Sequence, residues 1–244
     1  MSREAFFTLH SDLPREGPGE AADVAWAVAK AGTAPGSRVC DAAGGPGADL
    51  AALADAVPGA RLTAFDLHEG FVAAAAARGT GARVLRGRLI AGGGDRLPDP
   101  VALGPFDLIW CAGAMYFEGI AACLRAWAPA LAPGGAVAFT EPAWFTDDPS
   151  PAAAAMWAEY PAMTDPAGID DRVRAAGFET VATRALGDAA WESYYTPLDA
   201  RIAALRPGAD ADLARVLDAA ETEAATWRAH RDAFGYLLSV VRAA

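Results

Sequence analysis

Residues 38–56 read RVCDAAGGPGADLAALADA. A short apolar run ends in an aspartate, three glycines and a proline fill positions 44–47, and a helical pattern rich in alanine and leucine follows at once. A turn that only redirects the chain needs one glycine, or two. Without a Cβ, backbone amides can come close to a ligand, and the N-terminus of the next helix attracts polar or anionic groups to the same place. This stretch therefore predicts a strand at 38–41, a helix at 48–57 and a ligand between them.

Working outward, the alternation continues. A break at Pro58-Gly59 leads to a strand at 61–66 and a helix at 70–78. A third strand starts at 84–85, and a glycine-rich loop occupies 91–94. A fourth strand spans 106–111 and a helix 120–131. The turn at 133–135 introduces a fifth strand at 136–140. A helix at 170–176 precedes a sixth strand at 178–184, residues 197–231 read as helical, and 234–241 as a last strand. Upstream lies an amphipathic helix at 19–31, stopped by 32–36. Strands that are apolar throughout and alternate with helices belong to parallel units covered on both faces. The expectation is a doubly wound, mostly parallel seven-stranded α/β sheet. The last strand, returning after a long excursion, is expected to pair antiparallel at the sheet edge. Segment 142–166, with Trp144, Trp157 and Tyr160, is too aromatic for a linker and is expected to cover something.

The 244 residues fit one large α/β domain with appendages. A net charge of −11 opposes a nucleic-acid partner, whose phosphates require a basic face. Cys40, Cys111 and Cys123 lie in apolar segments without metal-ligand spacing, so buried reduced thiols and no metal are expected. The polar start MSREAFFTLHSDLPREGPGE is no secretory signal, and no run reaches the ~18 apolar residues of a membrane span. A cytoplasmic protein without a membrane partner is expected.

The loop at 41–47 has neither G-x-G-x-x-G nor G-x-x-x-x-G-K-[ST] spacing. An acid at the strand end suits a cation and not a phosphate. Asp66 closes the next strand in LTAFDLHEG, where an acid accepts ribose hydroxyls; alone, it would equally cap the following helix. Acid, bare backbone and second acid together suit S-adenosylmethionine, which carries a sulfonium, an amine and a ribose but no phosphate.

These residues resemble the class I S-adenosylmethionine-dependent methyltransferases, whose signature is an acid followed by G-x-G-x-G. Here it reads DAAGGPG, with Ala43 in place of the first glycine. FDLIWCAGAMYF and LRAWAPALAPGGAVAFTEP resemble that family's fourth strand and its helix, turn and fifth strand, and the likeness covers 39–184 and 234–241. Within the family, FFTLHSDLPREGPG, GAMYF, EPAWFTDDP and WESYYTP are similar to a bacterial small-molecule subgroup related to ubiquinone/menaquinone-type enzymes. The resemblance implies a Rossmann-like fold, with a lid and helix at 1–36, the methyltransferase domain at 37–244, and cap segments near 142–166 and 191–232. It implies that Asp41 lies near the methionine amine, that Ala43, Gly45 and Gly47 let the methionine portion pass, that Asp66 takes the ribose and that Leu67 lies against adenine. Arg88 stands where the family has an acid or polar residue for adenine, so backbone near Arg88 and Leu89 is expected to substitute. Cys111, ending the fourth strand, joins this shell.

Tyr116 and Glu141 follow the fourth and fifth strands and are expected to point into the cleft, Glu141 as a base or else as a salt-bridging group. His10 is either a substrate-side group on the lid or an exposed histidine. Trp144, Trp157 and Tyr160 read as walls for an acceptor that is apolar or aromatic in part, or as the core of a cap. The expected reaction is in-line methyl transfer, with Glu141 or His10 as base and Tyr116 positioning the acceptor. A non-catalytic binder of the same cofactor and an NAD-dependent oxidoreductase are the competing readings. A homodimer is an assembly the chain is expected to allow.

Overall fold

The computed structural model describes residues 2–92, 94 and 96–244; Gly93, inside the loop expected at 91–94, lies outside the described residues. In chain order the elements are α1 (Arg3–His10), α2 (Ala21–Ala31), β1 (Arg38–Ala42), α3 (Leu50–Ala56), β2 (Arg61–Asp66), α4 (Glu69–Ala77) and β3 (Arg83–Arg86). Next come α5 (Pro100–Leu103), β4 (Phe106–Cys111), α6 (Ile120–Trp127), β5 (Leu131–Trp144), α7 (Pro151–Met156) and α8 (Pro166–Ala175). β6 (Phe178–Ala185), α9 (Asp188–Leu205), α10 (Ala211–His230) and β7 (Phe234–Ala243) complete the chain.

The strands form one sheet in the order β3-β2-β1-β4-β5-β7-β6. β1 to β5 pair in parallel, and β7 runs antiparallel to both β5 and β6. This is the expected mostly parallel, doubly wound sheet, with one correction. β7 is antiparallel but does not form the edge; it wedges between β5 and β6. Burial explains the placement. Residues 234–241 are buried without a break, so both faces and both neighbours are occupied, whereas β6 alternates buried or half-buried with exposed residues and can afford one open side.

Successive strand residues point to opposite faces. Val39, Leu108, Trp110, Leu238 and Val240 enter one core with residues of α2, α9 and α10. Cys40, Ile109, Phe139 and Val241 enter the other with α6 and α8. Each leucine taken wholly from water contributes roughly 2 kcal/mol, so two apolar faces per strand is what fixes the layering. The three cysteines are buried free thiols in this interior.

Several segments are more structured than their sequence suggests. α1 starts at Ser2, whose side chain accepts a hydrogen bond from the Ala5 amide. Between Phe106↔Leu131 and Leu108↔Ala136 the β4–β5 register shifts, so the Pro133-Gly134-Gly135 turn is a bulge within a longer strand. β5 then runs on to Trp144, and Ser150 caps α7, giving structure to the aromatic segment. The long helical stretch is two helices parted at Arg206–Gly208. Among the described residues, no helix is long and apolar enough to cross a membrane.

Candidate active site

The loop after β1 folds back over its own aspartate. A Cβ on Gly44 would lie 2.5 Å from Asp41 Oδ2, so only glycine lets the backbone pass there. Ala43 and Gly45 take positive φ angles of 54° and 53°. The Gly45 amide donates to Asp66 Oδ2 at 3.0 Å, and the His68 amide to Asp66 Oδ1 at 2.8 Å, which ties the end of β2 to the loop. Trp110 Nε1 on β4 donates to Asp49 Oδ2 at 2.9 Å and anchors the loop's far end.

Above these strand ends is a cavity of about 860 Å³. Beside the loop it presents Asp41, Asp49, Asp66 and Glu16, with the Arg15 guanidinium and the His10 imidazole among them. Arg15 reaches Asp49 at 3.4 Å, and His10 Nδ1 lies 2.5 Å from Glu16 Oε2. α1 closes this end: the Phe7 ring stacks on His68 with centroids 3.8 Å apart and meets Phe71 edge-on. The other end is aromatic. Tyr116, Trp157 and Tyr160 line it with Trp191, Tyr194 and Tyr195 of α9, Tyr236 of β7 and Glu223 of α10, the Trp157 and Tyr236 centroids lying 6.5 Å apart.

Burial sets the protonation of these groups. It pushes the Asp41 carboxyl well above the usual range, reinforced by Asp49 and Asp66 and opposed by Arg15. Asp41 Oδ2 has no hydrogen-bond partner among the described residues. Burial likewise raises Asp66 and Glu16. It pushes the Tyr116 phenol up to about 12 and the Glu141 carboxyl to about 7, the latter opposed by a hydrogen bond from Tyr160.

Of the residues singled out from sequence, Asp41, Ala43, Gly45, Asp66, His10, Tyr116, Trp157 and Tyr160 line this cavity. The others do not. A Cβ on Gly47 would lie 2.9 Å from both Ala75 Cβ and Leu50 Cδ1, so that glycine serves helix packing. Leu67 is 47% exposed, off the cavity wall. The Arg88 amide donates to the Pro98 carbonyl, and the Leu89 carbonyl accepts from Trp127 Nε1 at 2.6 Å while its side chain joins the second core. Cys111 is wholly buried in that core, and burial pushes its thiol up. Trp144 packs edge-on against Phe234. Glu141 is fully buried and not on the cavity surface; the Tyr160 hydroxyl donates to it at 2.5 Å from the wall.

Sequence reasoning missed Glu16, Phe7, Asp49, Trp191, Tyr194, Tyr195, Tyr236 and Glu223. WESYYTP carried three of these aromatics, and its density of rings was a usable signal. Glu223 sits in a polar run that reads as a solvated helix face.

Comparison with known proteins adds a likeness over part of the chain and a fold. The family model described as a methyltransferase domain matches residues 39–135. A search of curated proteins finds no match. Among solved structures, the S-adenosylmethionine-dependent methyltransferase of Geobacter sulfurreducens, in complex with S-adenosyl-L-homocysteine, superposes with a TM-score of 0.81 at 20% identity, covering 100% of this chain and 99% of that one. The corresponding protein from Thiobacillus denitrificans gives the same four values. The [4+2]-cyclase SpnF superposes with a TM-score of 0.69 at 16% identity, over 93% of this chain and 86% of its own. At these identities the likeness shows the fold.

Proposed function

We propose that this chain, which carries a methyltransferase domain at residues 39–135, moves the methyl group of S-adenosylmethionine to a small-molecule acceptor that is apolar or aromatic in part. One observation carries the reading: a single cavity joins an acid-lined glycine loop to a chamber of aromatic rings. The unpartnered Asp41 Oδ2, beneath a backbone that only glycine permits, suits the amine of the methionine portion. Ala43 to Gly45 offer bare backbone beside it, and Asp66, at the next strand end, suits the ribose hydroxyls.

The sulfonium supplies a methyl group with a good leaving group, so the protein's share is alignment and exclusion of water. The rings of Tyr116 and Tyr160, with centroids 5.6 Å apart, position an acceptor against the loop end. An acceptor that must lose a proton passes it to the Tyr160 oxygen as the Tyr160 hydroxyl gives its own proton to Glu141. Glu141 thus acts through Tyr160 and is a positioning residue, while His10 is engaged with Glu16.

The finer assignments belong to the same reading: a cytoplasmic enzyme of the bacterial small-molecule subgroup related to quinone methyltransferases, able to form a homodimer. Residues 1–36 serve as lid and lead helix to the domain at 37–244, and segments 142–166 and 191–232 as caps. Calorimetry with S-adenosylmethionine, S-adenosylhomocysteine and NAD tests it, followed by assay of S-adenosylhomocysteine formation with candidate acceptors. Binding of the first two without NAD is expected. Binding of NAD alone would overturn the proposal, and donor binding without turnover of any acceptor would leave a non-catalytic binder.

A further inference from the structure

The chamber at the far end of the cavity has a composition that selects charge. Trp191 and Tyr195 stack with centroids 5.8 Å apart, Tyr194 tilts against Tyr195 at 5.1 Å, and Tyr236 meets Trp191 edge-on at 5.1 Å. Tyr116 and Tyr160, with centroids 5.6 Å apart, line the same cavity. Among these rings stands the Glu223 carboxyl, which accepts a hydrogen bond from the Tyr195 hydroxyl at 3.1 Å, while Glu159 lines the cavity beside Tyr160. It is solvent-accessible yet surrounded by protein, as befits a group on the wall of a deep cavity, and it acts electrostatically on Tyr116, Tyr194, Tyr195 and Tyr236 together.

No Lys or Arg among the described residues is paired with Glu223. The arginines nearby are engaged elsewhere, Arg15 with Asp49 and Arg228, behind Tyr195, with Glu192 and Asp199, while His10, hydrogen-bonded to Glu16, is the group that acts on Glu223 from the side of α1. Burial raises the phenols, which stay neutral, and raises the Glu223 carboxyl too, opposed by its hydrogen bond from Tyr195 and by His10; an arriving cation favours its ionised form. Aromatic faces attract a cation through their quadrupoles, and a carboxylate among them adds charge and a hydrogen-bond acceptor.

We propose that this chamber is the acceptor subsite and that it takes a small amine in its ammonium form, with Glu223 holding the charge and Trp191, Tyr194, Tyr195 and Tyr236 surrounding the apolar body. Glu223 then takes the proton, so that the freed nitrogen lone pair forms the N–CH3 bond as the donor's S–CH3 bond breaks and leaves a neutral thioether. This rests on the methyltransferase reading and narrows its substrate class. A quinol-type acceptor, being neutral, would offer Glu223 a hydroxyl donor but no charge to hold.

Three ligands of nearly one shape test it: 2-phenylethylamine, 2-phenylethanol and 3-phenylpropanoate, titrated by calorimetry with and without S-adenosylhomocysteine. The ammonium is expected to bind about tenfold tighter than the alcohol, the equivalent of about 1.4 kcal/mol, with the carboxylate weakest. Glu223→Gln, which can still accept the Tyr195 hydroxyl, should erase that preference and leave S-adenosylhomocysteine affinity unchanged. Equal binding of the three by wild type, tightest binding of the carboxylate, or a preference that survives Glu223→Gln would overturn the proposal. Wild type failing to bind S-adenosylhomocysteine would count against the donor reading instead, since titrations without it read the chamber alone.

Discussion

The Tyr160 hydroxyl on the cavity wall donates a 2.5 Å hydrogen bond to Oε1 of Glu141, a carboxyl with no exposed surface. Its second oxygen has no partner among the described residues. Burial raises this carboxyl from 4.5 to about 7, so below pH 4.5 it is protonated folded or unfolded and costs nothing. Between pH 4.5 and 7 only the unfolded chain ionises, and stability falls as pH rises; above 7 the loss is complete. Its full size is about 3 kcal/mol, at 1.36 kcal/mol for each pH unit of that window. Glu141→Gln removes this slope. Urea unfolding of both proteins at pH 4.5 and 8 should show the variant gaining on wild type by that order, and a difference independent of pH would show that the carboxyl titrates normally.

Asp41 carries a second prediction. Its carboxyl is buried, raised and unpartnered at Oδ2. Asparagine has the same shape and never pays to ionise, so Asp41→Asn should leave the ligand-free protein as stable at pH 8 or more so. The same change removes the negative charge offered to the donor's amine. S-adenosylhomocysteine affinity should fall about tenfold or more, in the range of one charged hydrogen bond. Burial raises the Asp41 carboxyl and the donor's amine favours its ionised form, so wild-type binding should release protons, seen as a heat that varies with the buffer's ionisation enthalpy. A destabilised variant with unchanged affinity would make Asp41 purely structural.

These groups differ in how far sequence could reach them. Asp41 and Asp66 were legible because each ends an apolar run, and strand ends of a parallel sheet define one rim. β7 was legible as a strand, but its place was not: order within a sheet depends on which edges stay open, and only the contrast between continuous burial at 234–241 and alternation in β6 decides it. Trp144 read as a cavity wall because 142–166 looked like loop. In fact β5 continues through Ala143↔Gly235 and Trp144↔Phe234, which directs that ring onto Phe234. Glu223 was invisible, since a single acid in a polar helix has no local sign that rings from α9 and β7 surround it.

Gly45 and Gly47 separate backbone strain from steric conflict. Both have positive φ, at 53° and 77°. A Cβ on Gly45 meets nothing closer than Glu16 Cγ at 3.6 Å, whereas one on Gly47 lies 2.9 Å from two side-chain carbons and 3.0 Å from the Ala75 backbone. Gly45→Ala should cost about 1 kcal/mol of left-handed strain. Gly47→Ala should cost that and a further ~1–3 kcal/mol from overpacking between α3 and α4. Thermal unfolding should place the Gly47 variant several degrees lower, at roughly 2–4 °C for each kcal/mol. Equal midpoints would mean that α4 yields freely.

Phe7 tests whether α1 gates the cavity. Its ring lies flat on His68 at 3.8 Å and edge-on to Phe71 at 6.0 Å, so α1 is pinned to the start of α4 across the loop end. Each such aromatic pair is worth about 0.5–1.5 kcal/mol beyond its buried area, so Phe7→Ala should raise the open population about tenfold or more. Opening a gate speeds entry and exit alike. Stopped-flow binding of S-adenosylhomocysteine should therefore show association and dissociation both faster in the variant, with Kd little changed, and amides of Arg3–His10 should exchange faster while those of β1 and β4 do not. If dissociation alone quickens and Kd weakens in step, Phe7 is a wall that touches the ligand, and the segment before α2 is no lid.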